Sequence, residues 1–439
     1  MSERTDTVAP ADGLVRRIGP AGAVAIAVTM VVGSGVFGLP GLALATTDPA
    51  TALIGWAVVI LAMAPMVLVF ATLGADHPTA AGIARFAALG FGSRSLPGFT
   101  MIACGALAVG MPAFFLVGGA YLAELLGLRP SVWRGPCAIA LAAAATALNL
   151  RGTETLGRVN TIAVGVVLAL ALGLAVFRLP PLAAESAMLA DALARTVEGD
   201  GPPVAAVWLA ASIVVWAFFG WENLSFGLEE FRDPARTIPA AFAASFVVVA
   251  GVYFLFAWVI SAAALAGAEV GGLSGVAGLL GEGPVRVVLL AVLVFVLFTN
   301  ANAWVFGASR AFYAAAGQGL LPRGLARTDS RGQPAAALIG AFAFYALVIA
   351  AMELARIPET YAFQLTTQGF VLLFGAAVVA YLRGRARRPA AWVVGAAALA
   401  GWAFLVSGFS WLLIYPAVLF AWGLVAGRRR ALARADGAE

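Results

Sequence analysis

Met30-Val31-Val32-Gly33-Ser34-Gly35-Val36-Phe37-Gly38-Leu39-Pro40 lies in the middle of an apolar run at about 18–44. Such a run can cross a bilayer, which takes roughly 20 apolar residues as helix. Yet it carries glycines at 33, 35 and 38, and each glycine lowers helix propensity by about 1 kcal/mol. The glycines are not four apart, so a small-xxx-small packing face accounts for them less well than an interruption of the helix. A second stretch reads the same way: Phe218-Phe219-Gly220-Trp221-Glu222-Asn223-Leu224-Ser225, with Gly227 after it. Lipid cannot satisfy backbone groups freed at membrane depth, so unwound chain there must face protein or a wet cavity. The N–H groups that open a half-helix attract a carboxylate, helped by the positive dipole end. The C=O groups that close the other half suit an ammonium. Two such breaks predict a midplane site for a small zwitterion such as an amino acid.

The rest of the 439-residue chain is consistent with that frame. It is 62% hydrophobic and 11% charged, with mean hydropathy +0.96, where a soluble domain carries about 25% charged residues. This excludes an ordinary soluble enzyme, a disordered chain and a nucleic-acid binder; the pI of about 9.7 reflects a net charge of only +5. Cys104 and Cys137 give no disulfide framework, and the single histidine, His77, cannot build a multi-histidine metal site, so no metal or cofactor is expected. The expected class is an all-α polytopic membrane protein with the lipid bilayer as its surroundings.

Twelve spans are predicted, at about 18–44, 53–73, 96–126, 133–150, 159–177, 204–228, 240–265, 285–313, 335–353, 362–382, 391–407 and 410–427. With the N-terminus inside, 21 of the 27 arginines fall in inside segments and 6 outside, and lysine is absent. That bias predicts both termini in the cytoplasm. Residues 1–17 read as a polar tail without the apolar core of a signal peptide, 18–427 as one integral transporter domain and 428–439 as a second tail. The two interrupted spans are the first and the sixth. Their five-span separation is the relation expected of inverted repeats over helices 1–5 and 6–10.

Glu222 is the one acid placed deep within a span. A charge at the bilayer centre costs from about 2.5 kcal/mol upward, and desolvation favours the neutral acid, which suits a proton carrier. A protonated carboxyl linking two helices is the structural alternative. Asn300 and Asn302 put amides into the middle of the eighth span, to reach substrate, the first span or simply a neighbouring helix. Gln364, Thr366, Thr367 and Gln368 open the tenth span as a polar patch, and Gly110-Met111-Pro112 kinks the third. Phe37, Phe218, Phe219 and Trp221 suit an apolar substrate side chain. No phosphate-binding loop, H-E-x-x-H or serine elbow is present, so an enzyme is not expected.

These motifs resemble the amino acid–polyamine–organocation transporter superfamily. Gly-Ser-Gly-Val-Phe at 33–37 is similar to its helix 1 motif, Phe-Phe-Gly-Trp-Glu at 218–222 to its helix 6 motif, and Glu-Phe-Arg-Asp-Pro-Ala-Arg-Thr-Ile-Pro at 230–239 to the loop after helix 6. Ala308-Ser309-Arg310 with Gly319-Leu320-Leu321-Pro322 resembles the end of helix 8. His77-Pro78-Thr79-Ala80-Ala81-Gly82 with Phe91-Gly92-Ser93-Arg94 resembles the bacterial methionine and branched-chain amino acid exporter branch. The resemblance covers about helices 1–10. It implies the leucine-transporter-type fold, a 5+5 inverted repeat plus two C-terminal helices, in the bacterial cytoplasmic (inner) membrane. It implies alternating-access transport of a neutral, aliphatic or thioether amino acid, with proton-coupled efflux. Amine, polyamine or cationic amino acid transport paired to Glu222 is the alternative, and sodium coupling through Thr299 stays open. Carried over by position, Ser34 and Gly35 would offer N–H groups, and Ser34 its hydroxyl, to the carboxylate. Carbonyls around Trp216, Ala217 and Phe219 would take the ammonium, and Trp216 matches an aromatic gate. Gly33, Val36, Phe37, Phe218, Gly220 and Asn302 would complete the substrate set, and Glu222 would couple protons.

Overall fold

The computed structural model describes residues 14–33, 35–177, 179–199, 201–270, 279, 283–385 and 387–435. The first apolar run forms two short helices, α1 (Pro20–Val31) and α2 (Gly35–Leu44). Then follow α3 (Pro49–Asp76), the short α4 (Gly82–Phe91), α5 (Leu96–Leu125), α6 (Pro130–Leu150) and α7 (Thr153–Phe177). After them come α8 (Leu179–Glu198), α9 (Val204–Val214), α10 (Trp221–Leu224) and α11 (Pro234–Leu265). The chain ends with α12 (Pro284–Gly317), α13 (Ala335–Ala355), α14 (Glu359–Gly384), α15 (Pro389–Val406) and α16 (Ile414–Ala435).

Local chemistry starts these helices where the sequence suggests. Proline occupies the first turn of α1, α3, α5, α6, α11, α12 and α15, where its missing N–H costs nothing. Asp48 caps α3 by accepting from the Thr51 N–H at 3.0 Å. Among the described residues, eleven helical stretches are long and apolar enough to cross a membrane. The expected first span is absent from that set because it is broken; its halves have 12 and 10 residues, about 18 and 15 Å of helix. The structure adds α8, a helix that the twelve-span reading does not contain. It lies across α11, where the Trp258 indole N–H donates to Ser186 at 2.8 Å.

Burial ranks the layers. The most apolar windows of α5 and α14 are 78% and 72% buried, while those of α15 and α16 are 17% buried. The former pair therefore forms the centre of the bundle and the latter its lipid-facing edge. Large apolar side chains such as Leu61, Leu172, Val247 and Leu347 stand on the outside. In water such a surface would invite association, whereas hydrocarbon solvates it.

Candidate functional site

The break after α1 leaves its last carbonyls without helical partners. Side chains from α11 and α12 take them up. The Asn300 amide donates to the carbonyls of Thr29 (2.7 Å) and Met30 (2.9 Å), the Trp304 indole to Met30 (2.7 Å), and the Tyr253 hydroxyl to Val31 (2.9 Å). Asn300 and Trp304 are four residues apart and so share one helix face. Gly33 is needed for this approach, because a Cβ there would lie 2.9 Å from the Asn300 amide carbon. Helix then resumes at Gly35, and the first-turn N–H groups of α2 have no partners within the helix. Ser34 and the side chains of Val36 and Phe37 lie outside the described residues.

The second break has a different form. α9 tightens into a 3-10 turn over Val215–Phe218, Phe219 is extended (φ −77°, ψ 141°), and Gly220 takes φ 143°. That φ is open to glycine and strained for other residues. A Cβ on Gly220 would also lie 2.6 Å from the Met30 carbonyl oxygen, so the two breaks touch. α10 then runs four residues before a second 3-10 stretch over Ser225–Glu230. Both Glu222 carboxyl oxygens lie 3.0 Å from the Gly220 nitrogen and accept from its N–H, which caps the resumed helix. The Ser225 hydroxyl donates to the Glu222 carbonyl (2.5 Å) and accepts from the Ile83 N–H (2.7 Å).

Between the breaks lies a cleft of about 640 Å³, counting its mouth. Gly33, Gly35, Trp216, Ala217 and Phe219 form one wall, and Ala106, Gly110, Met111 and Phe114 of α5 with Thr366 and Phe370 of α14 form the other. No lining residue carries a charge. Several expected site residues sit elsewhere. Phe218 is fully buried behind the wall, against Trp56 and Tyr253 (ring centroids 6.4 and 5.3 Å). Gly220 meets α1, and Glu222 faces the Gly220 N–H and does not line the cleft. Asn302 is turned toward α6, where its side-chain oxygen accepts from Asn149 at 2.9 Å. Of the two amides, Asn300 reaches the break. Tyr253, Trp304 and Met111 also line the cleft, and none of them was an expected substrate contact; Thr366, from the polar patch of the tenth span, lines it too. The i, i+4 spacing of Asn300 and Trp304 was a readable signal; the α5 wall is plain apolar helix and had none.

On one side a second hollow shares Trp216, Phe219 and Phe363 with the cleft. Trp216 packs on Phe219 and Phe363 with centroids 5.3 Å away in both cases. Toward the arginine-rich side, ten residues past Asn300 along α12, the Arg310 Nε donates to Glu230 at 2.6 Å, and both side chains are under 5% exposed. The Arg310 guanidinium also covers the Phe306 ring at 4.1 Å. Nearby, the N–H groups of Arg17 and Ile18 donate to the Glu230 carbonyl (2.9 and 3.0 Å), and that of Arg232 to Ile18 (2.9 Å). The Glu229 carboxylate accepts from the N–H of Leu14 (3.3 Å) and of Ala80 (2.9 Å).

Comparison with known proteins agrees with this architecture. The family model described as amino acid permease matches residues 18–428. The uncharacterized amino acid permease YecA of Bacillus subtilis (strain 168) is 25% identical over 410 residues, 91% of this chain and 92% of its own. The L-methionine/branched-chain amino acid exporter YjeH of Escherichia coli (strain K12) is 25% identical over 246 residues, 55% of each chain. Among solved structures, Mhp1, a nucleobase-cation-symport-1 family transporter in a closed conformation with bromovinylhydantoin bound, superposes with a TM-score of 0.50 at 15% identity, covering 98% of this chain and 97% of its own. At that identity the likeness speaks for the fold alone.

Proposed function

The chain belongs to the amino acid permease family, and from that membership we propose that it exports neutral amino acids with aliphatic or thioether side chains, coupled to protons, across the bacterial cytoplasmic membrane. It is a transporter with a leucine-transporter-type fold, and amino acid transport follows from its family. The observation that carries the finer reading is the cleft. The N-terminus of α2 and the C-terminal end of the α9 turn both border it, and its lining holds no charged side chain. A zwitterion matches both dipole ends without a counter-charge. In this reading the N–H groups around Gly33, Ser34 and Gly35 take the carboxylate. The carbonyls of Trp216, Ala217 and Phe219 take the ammonium, and Met111, Phe114 and Phe370 face the side chain.

Efflux is favoured by the likeness to the exporter YjeH, and inward termini by the arginine bias. Glu222 is the proposed proton carrier, acting through the Gly220 cap. The cationic-substrate alternative is weaker, because Glu222, its only available counter-charge, is turned to the Gly220 N–H. Competition in proteoliposomes tests the choice: unlabelled leucine and methionine should suppress labelled leucine counterflow and putrescine should not. Suppression by putrescine alone would replace this reading with the cationic one.

A further inference from the structure

A groove of about 1130 Å³, counting the open space at its mouth, lies between the start of α1 and the first turns of α7, at the arginine-rich end of the bundle and away from the cleft. Arg17, Arg158 and Arg232 converge on it against a single acid, Glu154. Among the described residues none of these three guanidiniums has an ion-pair partner, although arginines elsewhere on this end do, such as Arg385 with Asp76. Thr153 lines the groove, is 5% exposed, and its hydroxyl has no hydrogen-bond partner. Gly22 and Gly157 both line the groove and face one another where α1 and α7 approach. A Cβ on Gly157 would meet nothing nearer than the Gly22 Cα at 4.0 Å.

The polarity of the groove changes along its length. Its mouth is cationic, whereas Ile162, nine residues into α7 and hence about 13 Å along the axis, is 60% exposed toward lipid. A free phosphate would use only the cationic end. A lipid would use both, since basic pockets between membrane helices hold anionic headgroups while the chains stay in hydrocarbon. We propose that this groove seats the phosphodiester headgroup of an anionic phospholipid, with an acyl chain lying along Ile162. The guanidiniums supply the charge and bidentate N–H donors that a phosphate requires. Because the groove spans α1 and α7, a seated lipid bridges the half-helix that carries the first break to the span that closes the first repeat.

The test is lipid retention on the purified full chain, read by native mass spectrometry after titration with phosphatidylglycerol or phosphatidylcholine. Wild type should retain one phosphatidylglycerol at least tenfold more tightly than phosphatidylcholine. R17Q/R158Q/R232Q should lose that preference, while R387Q/R388Q/R429Q, with the same loss of charge at exposed positions, should keep it. Gly157→Phe, which fills the groove without changing charge, should lose it too. Equal retention by wild type and the groove variants would overturn the proposal, as would equal loss in the control triple. Inorganic phosphate is the last arm. Displacement of the bound lipid by millimolar phosphate would assign the site to a free anion and overturn the lipid reading.

Discussion

At the residue scale, the two amides of α12 make the sharpest contrast. Asn300 covers two orphan carbonyls of α1, of which Met30 keeps the Trp304 indole as a donor and Thr29 loses its side-chain donor, and a buried acceptor left bare costs about 1–3 kcal/mol. Asn300→Ala should therefore lower stability by that amount and cut transport as well, because the break it braces forms the cleft wall. Asn302→Ala removes only an acceptor for Asn149, whose amide still reaches the Ala145 carbonyl at 3.0 Å. It should leave KM for substrate within twofold of wild type. Thermal unfolding and proteoliposome KM for the two variants decide this, and a larger KM change in the Asn302 variant would reverse the assignment. Glu222 needs a different substitution. Glu222→Gln retains an amide oxygen that can accept from the Gly220 N–H, so the cap survives and the protein should fold normally. What it loses is the titratable carboxyl proton. Transport should become independent of the imposed pH gradient while substrate counterflow persists. Unchanged pH dependence in the Gln variant would make Glu222 a cap and nothing more.

At the scale of elements, the breaks depend on backbone as much as on side chains. Gly220→Ala meets two obstacles, a φ of 143° and a Met30 carbonyl 2.6 Å from the new Cβ. Strained non-glycine backbone costs about 1–3 kcal/mol, and the carbonyl cannot retreat without pulling α1. Counterflow should fall at least tenfold, with Gly317→Ala, which meets open space, as the silent control. The first interruption was legible in the sequence because closely spaced glycines weaken an apolar helix without giving it a regular packing face, and the second because Gly220 and Glu222 fall inside an apolar span. Helix ends were legible to within a few residues from proline and charge: 96–126 was expected where α5 covers Leu96–Leu125. Two things were not legible. α8 mixes Pro180-Pro181 with acids and alanines, so it reads as a link until α11 is present to pack against. The α5 wall of the cleft was also hidden, since Ala106, Leu107 and Met111 look like any lipid-compatible helix and become lining only when α14 crosses them.

For the whole molecule, alternating access would require two closures that open in turn, and two clusters are candidates for them: the aromatic one beside the cleft and the buried ion pair ten residues past Asn300 along α12. The aromatic closure rests on Trp216, whose ring touches both Phe219 and Phe363. Trp216→Ala should join the cleft to the hollow beyond. The polar closure cannot be tested by removing one partner, because an uncompensated Arg310 at 1% exposure would cost about 3–5 kcal/mol and unfold rather than open the protein. Replacing both, as E230Q/R310M, removes the pair while leaving no buried charge, so the charge penalty of a single replacement is avoided. A cysteine at Ala217 on the cleft wall, in a background with Cys104 and Cys137 replaced by alanine, reports which end is open through reaction with a membrane-impermeant maleimide. With the arginine-rich end inside, Trp216→Ala should speed labelling in right-side-out vesicles, and E230Q/R310M should speed it in inside-out vesicles. A reversed pattern would mean that the arginine-rich end faces outward. Faster labelling of both variants from the same side would mean that the two closures do not lie on opposite sides of one site, and the carrier would need a different route through the bundle.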